Sequence, residues 1–132
     1  MGRAVEAELR DVLCVQSCGS AFAALRKDGR VVTWGDAVRG GDSRMVAEQL
    51  QEVQHIQASG AAFAALRGDG SVVTWGDEAR GGDSSSVQHR LQDVRQVQAS
   101  SSAFAALRGD GTVVTWGWDD CGGHSSGGWP FA

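Results

Sequence analysis

Apolar positions along this chain fall in short bursts separated by small and charged residues. Between residues 53 and 76 three bursts follow one another: VQHIQAS, AFAAL and VVTWG. In the first, Ile56 and Ala58 alternate with Gln57 and Ser59, which is the two-residue period of a strand. The second is a run of small and apolar residues, and the third is β-branched and aromatic; both read as strands. Between them lies RGDGS, whose glycines suit positive-φ turn positions, so strands two and three form a hairpin with strand one alongside. The intervening segment differs. In SSSVQHRLQDV, residues Val87, Leu91 and Val94 stand at i, i+4 and i+7, a helical spacing. Ser85 and Gln88 fit a capping box, and MVAEQLQEV, at the same place one copy earlier, is rich in helix formers. The pattern predicts a helix of two to three turns there, with AVEAELRDV as its first copy.

The whole pattern recurs. Phe22, Phe63 and Phe104 are 41 residues apart, as are Trp34, Trp75 and Trp116, and Val12, Val53 and Val94. The chain therefore holds three units, about 5–45, 46–86 and 87–123, which form one repeat domain over 1–123. Residues 124–132 form an irregular tail. After Gly117 the pattern decays, although Gly122 and Gly123 echo the GGDS of Gly40–Ser43 and Gly81–Ser84, with His124 in the Asp position. Trp118, Trp129 and Phe131 either cap the last unit or belong to a frayed end. A 41-residue unit of three strands falls among propeller blades. The expected fold is a mainly β repeat protein. Its three units, each a three-stranded antiparallel meander plus one short helix, form a partial β-propeller or open propeller-like array.

Composition narrows the function. Apolar residues make up 42% of the 132-residue chain, enough for a core. Net charge is −4, and the twelve Lys and Arg are scattered, which argues against nucleic acid as a partner. No apolar run approaches the ~18 residues of a membrane span. The start, MGRAVEAELR, is too polar for a signal peptide. Three cysteines with no such signal suggest free thiols in a reducing compartment. An intracellular protein, cytoplasmic or nuclear, is expected, acting away from membranes.

The units resemble the repeat of the regulator of chromosome condensation family. In the second copy the matching residues are Val53, Ile56 and Ala58, then Ala65 and Leu66, Asp69 and Gly70, Val72 and Val73, Trp75 and Gly76, and Gly81. D-G-x-V-x-x-W-G occurs three times at a fixed period. The chain departs from the family in placing Ala21, Ala62 and Ala103 where the family has His, and G-D-S where it has Q-L-G. It also has a shorter period, and a helical segment in place of an extended one that often opens with Pro. The resemblance implies a propeller of about seven blades in full-length members. These include exchange factors for a small nuclear GTPase and modules of HERC-type ubiquitin ligases.

Each candidate site has a structural reading beside it. Phe22, Trp34, Phe63, Trp75, Phe104 and Trp116 are assigned to a core between units, since repeated apolar positions bury the inter-unit face; an aromatic ligand ladder is the alternative. The loop rim, with Asp36, Arg39, Asp42, Asp77, Arg80 and Asp83, is the candidate partner-binding surface. Arg67-Gly68-Asp69 and Arg108-Gly109-Asp110 spell an adhesion tripeptide, but hairpin tips select these residues anyway. Cys14, Cys18, Cys121 and His124 invite a zinc reading, which the span of four strand residues opposes. No His recurs beside Ser43 or Ser84, and no catalytic motif is present. No catalytic residue, metal or cofactor is assigned. The expected function is a non-enzymatic scaffold or interaction module for a protein partner, with homo-oligomerisation as one way to complete the array. The alternatives are a substrate-recruiting fragment of a HERC-type ligase and, behind it, nucleotide exchange on a small GTPase.

Overall fold

The structure, a computed structural model, describes residues 7–117. Nine strands form three separate sheets. The first contains β1 (Val12–Ser17), β2 (Ala21–Arg26) and β3 (Val31–Gly35); the second β4 (Val53–Ala58), β5 (Ala62–Arg67) and β6 (Val72–Gly76); the third β7 (Val94–Ala99), β8 (Ala103–Arg108) and β9 (Val113–Gly117). Each sheet is an antiparallel meander in chain order. This is the propeller-like open array that the repeat predicts.

The hairpin tips are held by the residues that repeat there. Gly70 takes φ +85°, Asp69 Oδ1 accepts the Ser71 amide at 2.9 Å, and Arg67 N donates to Ser71 O. Each first strand carries a bulge, between Val12 and Cys14, Val53 and His55, and Val94 and Gln96. The bulge interrupts the two-residue period, so Val53 and Ile56, three apart, are both buried. Asp11, Glu52 and Asp93, just before these strands, have positive φ of 54–57°.

The helical segment is present but tighter and shorter than predicted. It is a 3-10 helix over Arg44–Gln49 where the second unit begins and over Gln88–Arg90 where the third begins. The i, i+4, i+7 spacing ran across a boundary: Leu91 follows the turn and Val94 opens β7, yet both are buried. The predicted Ser85–Gln88 capping box does not form. Gln88 instead accepts from Ser84 Oγ and donates to Val72 O. A second 3-10 turn, unforeseen, follows the last strand at Ala37–Arg39 and Glu78–Arg80. Of the first copy of the helix only Ala7 and Glu8 are helical among the described residues.

The core lies between sheets. One cluster joins Ala21, Ala23 and Leu25 of the first unit to Ile56, Phe63, Ala65 and Trp75 of the second. The next joins Ala62, Ala64, Leu66 and Val72 to Val97, Phe104, Ala106 and Trp116. Each unit thus shows an aromatic leading face to the unit before it and a small-residue trailing face to the unit after it. Phe63 pairs with Trp75 across the hairpin, their rings stacked at 5.4 Å. At about 150–250 Å² per ring, each buried aromatic contributes about 4–6 kcal/mol before ordering costs.

Phe22 and Trp34 correct the expected core. Phe22 is 39% exposed and Trp34 only half-buried, although they stack as the other pairs do. The reason is positional: among the described residues no unit stands ahead of the first sheet.

Candidate protein-binding cleft

The loop rim is built by capping. Asp36 Oδ1 accepts the Val38 amide at 3.1 Å, and Asp77 Oδ1 accepts the Ala79 amide at 2.9 Å, each starting a 3-10 turn. The turns end at Gly40 and Gly81, with φ of +110° and +105°. Here glycine is required twice over: a Cβ on Gly40 would lie 2.5 Å from Phe63 Cδ2 and Cε2, and one on Gly81 would strike the Phe104 ring. The carbonyls of these glycines accept the indole N–H of Trp75 and Trp116, each at 3.1 Å. Each rim loop is therefore clamped by the aromatic pair of the next unit.

The following Asp starts the second turn. Asp42 Oδ1 accepts the Arg44 amide and Asp83 Oδ1 accepts the Ser85 amide. Asp42 also pairs with the Arg44 guanidinium through two bonds of 2.9 and 2.8 Å, which hold its carboxyl down at about 2. Hydrogen bonds from Ser85 lower Asp83 too. Ser43 caps nothing with its side chain; its hydroxyl meets Thr33 Oγ1 at 2.8 Å, as Ser84 meets Thr74. The GGDS loop is thus a turn stapled to its own sheet by Ser and started by Asp.

Between the rim loops of the first two units lies an open cleft of about 710 Å³. Its floor is Thr74, Trp75 and Gly76; Val38, Met45 and Val46 line one side, and Asp42, Asp77, Glu78 and Asp83 give it four carboxylates. Val38 is 72% and Met45 95% exposed. Of the six rim residues named from sequence, the cleft gathers Asp42, Asp77 and Asp83. Asp36 serves its turn. Arg39 is exposed, and its carbonyl accepts Cys18 Sγ at 3.2 Å. Arg80 is turned to a structural task, donating to Ser102 Oγ at 2.9 Å while its carbonyl accepts Ser59 Oγ. Sequence reasoning missed Val38, Met45 and Glu78. Comparing copies would have found the first two: Val38 and Met45 stand where the second copy has Ala79 and Ser86.

The remaining candidates fall elsewhere. Cys14 is exposed on β1, while Cys18 lies one residue past its end and is buried. Cys121, His124 and the tail aromatics lie outside the described residues. Among the described residues no three His, Cys, Asp or Glu side chains come together as a metal site, and no helix is long and apolar enough to cross a membrane.

Residues 94–122 match the profile of the Regulator of chromosome condensation (RCC1) repeat. No curated protein matches the chain. Among solved structures, yeast RCC1 (Prp20) bound to Kap60 is similar with a TM-score of 0.62 at 17% identity, over 89% of this chain and 32% of that one. Human WBSCR16 is similar with a TM-score of 0.59 at 22% identity, over 80% and 33%. Prp20p from Saccharomyces cerevisiae, in a study of its binding to Gsp1p and histones, gives 0.56 at 18% identity, over 80% and 30%. The chain spans about a third of each of these proteins.

Proposed function

We propose that this chain, an array of repeats of the regulator of chromosome condensation type, is a non-enzymatic interaction module. Its partner is a protein segment that carries an apolar anchor flanked by Lys or Arg. The observation that carries this reading is the cleft, where Met45 and Val38 are largely exposed beside Asp77, Glu78 and Asp83. Methionine is an adaptable contact residue, and carboxylates around an apolar floor steer a basic partner. The similar yeast protein is described with Kap60, Gsp1p and histones, all of them proteins, which supports a protein as the ligand class. The same cleft would serve a substrate-recruiting fragment of a larger ubiquitin ligase, and an intracellular setting fits either role.

The test is selection of displayed random peptides on the purified chain. Enriched peptides should pair an aliphatic or aromatic residue with Lys or Arg. Their binding should weaken as salt rises and fall at least tenfold in Met45→Glu and in Glu78→Lys. Peptides that bind both variants as well as the parent chain would defeat the proposal.

A further inference from the structure

The two internal junctions use the same parts, and among the described residues the first and last sheets carry those parts unpaired. At each junction the leading face inserts a Phe–Trp pair against alanine and leucine of the preceding sheet. A hairpin-tip carbonyl also accepts the amide that opens the next first strand: Val53 N donates to Gly29 O and Val94 N to Gly70 O, both at 2.9 Å. At the front of the array, Phe22 is 39% and Val15 50% exposed, whereas their counterparts Phe63, Phe104, Ile56 and Val97 are buried. At the back, Leu107 is 39% exposed, whereas Leu25 and Leu66 are buried. Gly29 and Gly70 lie against Glu52 and Asp93 of the following unit, while a Cβ on Gly111 would meet nothing within 4 Å.

We propose that the leading face of one chain docks on the trailing face of a second copy, head to tail, through the junction the chain already makes twice. Phe22 and Val15 then cover Leu107, Ala105 and Val113, and the Val12 amide reaches Gly111 O. The occupant is a second copy because the trailing face, Ala103, Ala105, Leu107 and Val113, has the same residue types as Ala21, Ala23, Leu25 and Val31, on which the second unit sits. This contact is heterologous, so it leaves one of each face free unless the assembly closes. Two copies supply six units, within the roughly four to eight blades of closed propellers. The contact is independent of the cleft, and either can fail alone.

The mass of the 132-residue chain in solution tests this. The expected result at about 0.1 mM is a species of twice the 13.8 kDa chain mass. Phe22→Arg blocks one face and Leu107→Arg the other; both side chains are partly exposed, so each variant should stay folded and run at the single-chain mass. Mixed one to one, the two variants keep one intact junction between them, and the doubled species should return. Val15→Arg should behave as Phe22→Arg does, and it replaces that variant if its circular dichroism shows unfolding. A parent chain that stays at the single-chain mass overturns the proposal. So do blocked variants that still double alone, or folded variants that fail to double when mixed.

Discussion

Gly40→Ala tests how the units are locked, with Gly19→Ala as its control. Both glycines have strongly positive φ, +110° and +99°, so alanine costs a similar backbone strain at each, about 1–2 kcal/mol. They differ in space. A Cβ on Gly19 meets nothing within 4 Å, whereas one on Gly40 stands 2.5 Å from two carbons of Phe63. Carbon atoms pack at about 3.5–4.0 Å, so the ring must retreat by about 1 Å. Phe63 is 0% exposed, with no room to do so, and overpacking of this kind costs about 1–3 kcal/mol more. Guanidinium titration should therefore show Gly40→Ala destabilised by about 2–5 kcal/mol and Gly19→Ala by about 1–2 kcal/mol. The extra loss should appear as a lower midpoint at unchanged slope. Equal losses at the two positions would refute the claim that the ring of one unit seats on the glycine turn of the unit before.

Three further outcomes are expected. Trp75→Phe removes the donor to buried Gly40 O and should cost about 1–3 kcal/mol by thermal melting, with Trp116→Phe costing the same; a neutral Trp75→Phe would show the indole bond to be idle. Cys18→Ser should stay within about 1 kcal/mol of the parent, because Ser59 already fills the same position in the second unit and donates to the equivalent carbonyl; a loss above that would give the thiol a role the bond does not explain. By carboxyl NMR, Asp42 should titrate near 2. Its stabilising pair with Arg44 is intact above the ordinary carboxylate range and is lost as pH falls through that value. In Arg44→Ala the midpoint should rise but stay below the ordinary value, since the residue 44 amide still donates; an unmoved midpoint would deny the pair.

The strands were legible because each carries its own signal. Alternation in VQHIQAS, β-branching in VVTWG and Asp-Gly at the tip gave three strands per unit within a residue of their ends. The repeat gave the array, since a period shows wherever it is broken only lightly. The helical segment was legible in place and not in kind. Val87, Leu91 and Val94 are spaced by a 3-10 turn that runs into a bulged strand, and that spacing imitates an α-helical face. The burial of Phe22 departs from the expectation because the period treats all copies alike, while burial depends on a neighbouring unit, and among the described residues none stands ahead of the first copy. The rim was found by its glycines and acids, but those residues mostly build the turns. The exposed apolar pair, Val38 and Met45, was hidden because it does not recur.

Exchange of the tryptophan indole protons shows whether each unit is clamped by the aromatic pair of the next. The Phe22→Arg variant is the sample, so that the front face is free. The Trp75 and Trp116 indole protons, bound to Gly40 and Gly81, should exchange only through opening of the array. Trp34, in the same place on a face with no unit ahead of it among the described residues, should exchange at least tenfold faster. A Trp75 indole that exchanges as fast as Trp34 would contradict the clamp.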